Sequence, residues 1–459
     1  MSSWYPVQGK QFVILGLARS GLAAAKWLVA NEAKVIGWDD TEDKRKLDDI
    51  QTQEPQHIDW KHIDALIQSP GIPFTHPITK AAIAHKVPVI SDIDLLRQSA
   101  PNARFIGITG TNGKSTTTTL ISHILSFCGV DAHLGGNIGV PVMSLPALDE
   151  NGVYVLELSS YQLDLSNNLD LDISAWLNIT EDHLDRHETI ANYIQAKEKI
   201  FQGVNPERLA IIGIDDSFSE QVYKELMIAG DIQNIIQVSV EKKANIYVEN
   251  DVLFDNRFDQ PSAILNLRDA PTLQGKHNHQ NAAVAYAVAA YLGLSSEEIC
   301  RAIQSFPGLK HRQETIAVLD QIHFINDSKA TNADAASKAI ETYANLGDLY
   351  WIAGGQAKQD GIDGIQEYLK KITHAFLIGD AQERFAKSLV GHTSFTYSDT
   401  LTAAVKQAYL MAKTNKRKAT ILFSPACASF DQFRDFEERG EAFRTIVREL
   451  QINSLKKQS

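Results

Sequence analysis

The residues with the clearest chemistry lie in Gly107-Ile108-Thr109-Gly110-Thr111-Asn112-Gly113-Lys114-Ser115-Thr116. Apolar Phe105-Ile106 precedes them, and Thr117-Thr118-Thr119-Leu120-Ile121-Ser122-His123-Ile124-Leu125 follows in a helical pattern. A strand, a glycine loop and Lys-Ser at a helix start can hold nucleotide phosphates. Glycines let backbone N–H groups converge on phosphate oxygens at the positive end of the helix. Lys114 adds a point charge, and the Ser115 hydroxyl can sit on Mg²⁺. The spacing is short: Ile108 stands where a standard P-loop has its first glycine, leaving Gly110-x-x-Gly113-Lys114-Ser115. A glycine-rich turn with an incidental lysine is the plainer alternative, and the strand–helix context argues against it.

Further candidates lie downstream. Glu157 ends the apolar run Val153-Tyr154-Val155-Leu156, the place beside a P-loop where Mg²⁺ ligands are found. His183 and His187 have the i,i+4 spacing of a zinc pair, but the glutamate of HExxH is absent, which speaks against zinc protease chemistry. Lys197 falls on the polar face of an amphipathic helix, Tyr193 to Phe201, and taken alone reads as a solvated surface lysine. Asn278 and Asn281 are one helical turn apart at the start of an Ala-rich helix. They either face one ligand together or serve as an N-cap amide and a surface amide. Three strand-to-loop segments, at 324–332, 349–358 and 419–429, share the arrangement by which open α/β sheets bind ligands beyond their strand ends. Cys427 in the last of them has no histidine in its motif and reads as a small buried residue.

These side chains must be positioned by an α/β framework. Residues 11–40 read as strand, turn, helix and strand: Phe12-Val13-Ile14-Leu15, the turn Gly16 to Gly21, a helix Leu22 to Val29, and Lys34 to Asp39 ending in acid. This is the first unit of a Rossmann-like domain with Asp39 placed for a ribose or base edge, although Ala18 breaks the dinucleotide fingerprint. A nucleotide-free α/β domain is the alternative there. Ser69-Pro70-Gly71 forms a rigid turn, and Gly135-Gly136-Asn137-Ile138-Gly139 reads as a flexible polar loop. Domains are expected at 1–97, 98–307 and 308–459, in keeping with 459 residues. With 44 Lys+Arg against 56 Asp+Glu, the chain is acidic, which argues against bulk nucleic-acid or anionic-membrane binding. Three scattered cysteines point to a reduced, cytosolic setting, and no apolar stretch reaches transmembrane length.

Taken together the motifs resemble the Mur ligase family over essentially the whole chain. The resemblance is carried by Gly110 to Thr116, Glu157-Leu158-Ser159-Ser160-Tyr161-Gln162-Leu163, Asn178 to Asp185, Gly275-Lys276-His277-Asn278, His311-Arg312, Asn326 to Asn332 and Ser424 to Gly440. The first motifs are shared with folylpolyglutamate-type ligases. The last two resemble the branch that adds D-glutamate to UDP-N-acetylmuramoyl-L-alanine. Tyr161 stands where phenylalanine is frequent, and Arg19-Ser20 replace other residues of the first loop. The implied fold is a three-domain α/β architecture: a Rossmann-like UDP-sugar domain, a P-loop ATPase-like central domain and a Rossmann-like amino-acid domain.

The resemblance also implies roles. Lys197 would be carbamylated and become a Mg²⁺ ligand, which requires access to its neutral amine. It would share the second Mg²⁺ with His183, while Ser115 and Glu157 hold the first. Lys114 would stabilise the γ-phosphoryl charge. ATP would be held by Gly110, Thr111, Asn112, Gly113, Lys114, Ser115 and Thr116, and gripped between the second and third domains by Asn278, Asn281, Arg312 and Asp327. Ser20, Asp39, Ser69, Gly71, Asn137 and Gln162 would line the UDP-sugar channel. Thr331, Lys358, Ser429 and Phe436 would take D-glutamate. The expected reaction is ATP-dependent amide ligation through an acyl phosphate, using two Mg²⁺ ions, with closure about linkers near 97 and 308. A cytoplasmic monomer without nucleic-acid or membrane partners is expected. The competing readings are another ligase of the group, an NAD-dependent oxidoreductase and a non-enzymatic nucleotide-binding regulator.

Overall fold

The computed structural model describes residues 5–47, 49–167, 169–205, 207–258, 260–356 and 361–458. The chain divides into two compact units, Met1–Ala270 with Asn278–Phe306, and Pro271–His277 with Pro307–Ser459. Among the described residues the strands form three sheets.

The first unit carries two of them. Strands β1 (Gln11–Leu15), β2 (Lys34–Trp38), β3 (Gln51–Thr52), β4 (Ala65–Gln68) and β5 (Val89–Ile90) make a parallel sheet in the order β3-β2-β1-β4-β5. The order reverses at β1, so a crevice opens beyond the carboxyl ends of β1 and β4. The second sheet contains β6 (Arg104–Thr109), β7 (Ala132–Gly136), β8 (Val153–Glu157), β9 (Ile173–Trp176), β10 (Leu209–Gly213), β11 (Asn234–Ser239), β12 (Ile246–Glu249), β13 (Val252–Asp255) and β14 (Ser262–Asn266). Its order is β14-β13-β12-β11-β10-β9-β6-β8-β7. Strand β6 lies between β9 and β8, so the loop after it emerges where residues from both neighbours can reach it. Near-continuous apolar runs such as Val153-Tyr154-Val155-Leu156 suit strands covered on both faces. One apolar core spans both sheets, from Phe12 and Ile14 through Phe105 and Tyr154 to Trp176. Burying each such large side chain contributes about 1.5–3 kcal/mol.

Several local expectations are revised here. The helix after β1 runs Arg19–Ala30, so Arg19 and Ser20 form its first turn rather than the end of a loop. Gly16 supplies the turn at φ 93°, and a Cβ on Gly21 would collide with the Gly16 carbonyl oxygen, so close packing of loop and helix requires glycine at 21. Gly135 and Gly136 end strand β7 instead of belonging to a free loop. The helix Asp92–Ser99, with Ile93, Leu95 and Leu96 buried and a Ser91–Asp94 capping box, spans residue 97, where a strand–helix pair is expected to close the first domain.

In the second unit β15 (Glu314–Leu319), β16 (Ile322–Asn326), β17 (Asp348–Gly354), β18 (His374–Ile378), β19 (Phe395–Asp399) and β20 (Ala419–Phe423) form a sheet ordered β15-β16-β20-β17-β18-β19. Only the β15–β16 pair among these is antiparallel. The polar stretch after β16 is a loop to Asn332, whose side chain caps the helix Ala333–Tyr343. No helix among the described residues is long and apolar enough to cross a membrane.

Candidate active site

The phosphate-type loop joins β6 to the helix Lys114–Phe127, with Gly113 at φ 86° as its N-cap residue. Asn178, just past β9, holds it: its carbonyl accepts from Thr111 N at 2.8 Å and its Oδ1 from Asn112 N at 2.9 Å. Lys114 Nζ donates to the carbonyls of Gly110 at 2.8 Å and Thr111 at 2.9 Å. Lys197 Nζ reaches the same Gly110 carbonyl at 2.9 Å and Thr109 Oγ1 at 3.2 Å. Two lysines therefore converge on one loop oxygen. Ser115 and Thr116 lie buried in the first turn of the helix.

Lys197 overturns its local reading as a surface lysine, since its relative exposure is 1%. The helix Ile190–Glu198 turns Tyr193 and Lys197, one turn apart, inward under the loop. The Tyr193 ring covers Lys197 Nζ at 4.8 Å, and its hydroxyl meets Thr111 Oγ1 at 3.2 Å. Burial drives the Lys197 pKa well below the lysine range, and the neighbouring Lys114 charge adds to this against the pull of Asp182 and Glu157. An amine in this setting has its neutral, nucleophilic form within reach.

Glu157, at the end of β8, is 2% exposed. Asn137 donates to its Oε1 at 2.9 Å, while the buried Oε2 has no hydrogen-bond partner among the described residues. A buried carboxylate oxygen left unpaired is costly unless something cationic meets it. His183 sits at a left-handed φ of 54° with its side chain 46% exposed. His187 is buried, hydrogen-bonded at 3.0 Å to Ser160 Oγ, and burial lowers its pKa. The two histidines thus do not act as a zinc pair. Among the described residues no three His, Cys, Asp or Glu side chains gather as a ready metal site. On the far side of the loop Asn281 accepts from Thr117 Oγ1 at 3.1 Å and donates to Asn278 Oδ1 at 3.2 Å. Both amides are buried, so the reading of a cap plus a surface amide falls.

A separate cavity of about 410 Å³ opens at the carboxyl ends of β1 and β4, and Ser20, Asp39, Ser69 and Gly71 all line it, with Lys44 beside them. Asp39 spends its oxygens on the loop: Oδ2 accepts from Leu17 N at 2.8 Å and Oδ1 from Thr41 N at 2.9 Å. Burial alone would raise its pKa, but these bonds and Lys44 together hold it below the usual carboxylate value. Asn137 and Gln162 lie outside this lining. Asn137 orients Glu157, and Gln162 closes a capping box on Ser159 for the helix Ser160–Leu165.

Family models match three consecutive stretches: a Mur ligase MurD-like N-terminal domain at 10–91, a Mur ligase middle domain at 108–289 and a Mur ligase glutamate ligase domain at 311–427. The chain is 43% identical to the UDP-N-acetylmuramoylalanine–D-glutamate ligase of Phenylobacterium zucineum, over 96% of this chain and 97% of that one. It is also 43% identical to the enzyme of the same name from Caulobacter vibrioides, with the same coverages. The chain belongs to the Mur ligase family. Solved Mur ligases share the fold: MurF from Acinetobacter baumannii has a TM-score of 0.60 at 18% identity, covering 96% of this chain and 92% of that one. The UDP-N-acetylmuramate–alanine ligase of Thermotoga maritima has a TM-score of 0.58 at 18% identity, covering 96% and 99%.

The second unit of this Mur ligase holds the remaining expected residues, apart from Lys358, which lies outside the described residues. Asp327 follows β16, accepts from Ser424 Oγ at 2.7 Å and Gln313 N at 3.1 Å, and burial raises its pKa to about 7 against the pull of Ser424, Arg312 and Gln313. Thr331 and Ser429 lie in the loops after β16 and β20, and Lys329 Nζ lies 4.7 Å from the centre of the Phe436 ring. Arg439, 1% exposed, pins these loops, donating to Ser328 Oγ at 3.0 Å and to the carbonyls of Ser328, Cys427 and Ala428 at 2.8–3.1 Å. Cys427 is fully buried and its thiol is pushed up to about 12, in keeping with a structural role. Sequence reading gave no individual role to Asn178, Tyr193 or Arg439. The i,i+4 spacing of Tyr193 and Lys197 was the one available signal for Tyr193.

Proposed function

We propose that this Mur ligase joins D-glutamate to UDP-N-acetylmuramoyl-L-alanine at the expense of ATP, in cytoplasmic peptidoglycan precursor synthesis. The observation that carries the chemistry is the pair of lysines meeting at the Gly110 carbonyl beside a buried, half-unpaired glutamate. Two lysine charges at a glycine loop suit a bound triphosphate, and relatives named for D-glutamate addition supply the choice of substrate. The L-alanine carboxylate oxygen attacks the γ-phosphorus and the bond to the ADP oxygen breaks, giving an acyl phosphate. The D-glutamate amine then attacks the acyl carbon, and inorganic phosphate leaves from the tetrahedral intermediate.

In this reading the Gly110–Thr116 backbone and Lys114 cradle the phosphates, so Lys114 must leave its loop carbonyls for the γ-phosphoryl oxygens. Asn278 and Asn281, the latter bonded to Thr117 of the loop helix, would hold ATP, as would Arg312 and Asp327. The unpaired Oε2 of Glu157 fits a divalent cation, which Ser115 would help to hold. Lys197, once carbamylated, and His183 would hold a second. Bound Mg²⁺ would supply charge neutralisation between carboxylate and triphosphate. Ser20, Asp39, Ser69 and Gly71 would line the UDP end, with Asn137 and Gln162 further along. Thr331, Lys358, Ser429 and Phe436 would receive D-glutamate. We assign the UDP-sugar, ATP and amino-acid roles to residues 1–97, 98–307 and 308–459, in a monomer without nucleic-acid or membrane partners.

The test is phosphate release with UDP-N-acetylmuramoyl-L-alanine and ATP across D-glutamate, L-glutamate, L-lysine and meso-diaminopimelate. Release with D-glutamate alone is expected. Release driven by another amino acid, or by folate in place of the UDP substrate, would reject the assignment.

A further inference from the structure

His183 caps the short helix Leu184–His187 at φ 54°, with its side chain 46% exposed. What touches the ring is more informative. The Tyr161 hydroxyl lies 3.2 Å from His183 Nδ1, and the two rings are 5.1 Å apart. Tyr161 is itself held on several sides. The His187 ring stacks on it at 5.6 Å with a 15° interplanar angle, and the Arg186 guanidinium lies 5.6 Å from its centre. His187 is fixed in turn by Ser160 Oγ at 3.0 Å and by the Tyr193 ring at 5.4 Å. The buried cluster that covers Lys197 therefore also sets the position of one hydroxyl against one imidazole nitrogen.

The other nitrogen of His183, Nε2, lies 3.6 Å from Asp182 Oδ2. A neutral imidazole carries one N–H, and the partner at one nitrogen decides which nitrogen keeps a lone pair. We propose that Tyr161 is a positioning residue for His183: its hydroxyl oxygen accepts the Nδ1–H and so leaves the Nε2 lone pair for a divalent cation. The inference rests on the reading of His183 as a metal ligand. Metal-bound histidines generally donate their second N–H to such a fixed acceptor, and loss of that acceptor typically weakens metal binding about 10–100-fold. Without the hydroxyl, Asp182 favours the proton on Nε2, the wrong nitrogen for coordination.

The experiment uses the full chain and Mn²⁺ alone as the probe, titrated by electron paramagnetic resonance, with Tyr161→Phe, His183→Ala and the double variant. Phenylalanine keeps the stacked ring, and thermal melts check that it does. Tyr161→Phe should weaken the His183-dependent Mn²⁺ site about tenfold or more, and should add nothing in the His183→Ala background. Unchanged Mn²⁺ affinity in Tyr161→Phe, or an equal further loss in the double variant, overturns the proposal. Nitrogen NMR of the metal-free protein should show His183 as the Nδ1–H tautomer in the native chain and Nε2–H in Tyr161→Phe; one tautomer in both also overturns it. If His183→Ala leaves Mn²⁺ binding intact, the metal reading of His183 fails, while the NMR comparison still decides what Tyr161 does.

Discussion

Asp327 should make the second unit less stable as the pH rises, the reverse of a salt-bridged carboxylate. Asp327 is 4% exposed, and burial carries its pKa from 3.8 to about 7 although Ser424, Arg312 and Gln313 all pull it down. The folded value lies above the unfolded one, so between 3.8 and about 7 the folded chain keeps a proton that the unfolded chain has released. The stability from this proton is fully present below the unfolded value and is lost as the pH climbs through the folded one. A displacement of that size corresponds to about 4 kcal/mol, an upper figure because water entering the site would reduce it. Asp327→Asn keeps the shape, accepts from Gln313 N, can donate to Ser424 Oγ, and does not titrate.

The variant should match the native chain at about pH 4 and exceed it by roughly 2–4 kcal/mol at about pH 8. Other carboxylates with lowered values, such as Asp255, slope the opposite way, so the difference between the two proteins is the quantity to read. Urea unfolding followed through fluorine-labelled Trp351 isolates the relevant unit. Trp351 is the sole tryptophan in residues 307–459 and donates from Nε1 to the Ser424 carbonyl at 2.8 Å. A stability difference that is the same at every pH, or a variant weaker at high pH, would show Asp327 ionised and held by Arg312, and the reasoning from burial would be wrong.

Other consequences can be checked alongside. Lys197→Ala should slow ligation by at least about 10²–10³-fold, with partial recovery on adding short carboxylic acids; intact ligation, or a loss those acids do not relieve, would reject the carbamate. Gly21→Ala places a Cβ against the Gly16 carbonyl and 3.1 Å from Ser69 Oγ, so it should destabilise the first sheet by about 1–3 kcal/mol and weaken UDP-substrate binding measured by calorimetry. Native-like melting and affinity in that variant would show that the loop has room to move. The resemblance implies closure about the linkers near 97 and 308, so ATP with the UDP substrate should lower the radius of gyration in small-angle scattering. Superimposable profiles with and without ligands would count against closure.

By itself the sequence determined what local chemistry can determine. The glycine spacing of 110–113, the Lys-Ser that follows, the acid after an apolar run at 157 and the strand–turn–helix order of 11–40 each depend on neighbours in the chain. They specified an α/β framework and a phosphate loop, and the resemblance of the motifs implied the Mur ligase fold. The short spacing after Ile108 was also legible, because φ-permissive glycines and a helix start are recognisable wherever they stand. What needed the tertiary structure was the state of each side chain. Lys197 looks solvated on a charged helical face, yet the helix packs under the loop, and burial with Lys114 nearby decides its protonation. Asn137 sits in a glycine-rich stretch whose strand pairs with β8, and only that pairing brings its amide to Glu157. Asp39 ends a strand as expected, but the loop folds back so that backbone N–H groups occupy its oxygens. Partners such as Glu157 for Asn137, 20 positions on, and Leu17 for Asp39, 22 positions back, set these states, and no local period encodes them.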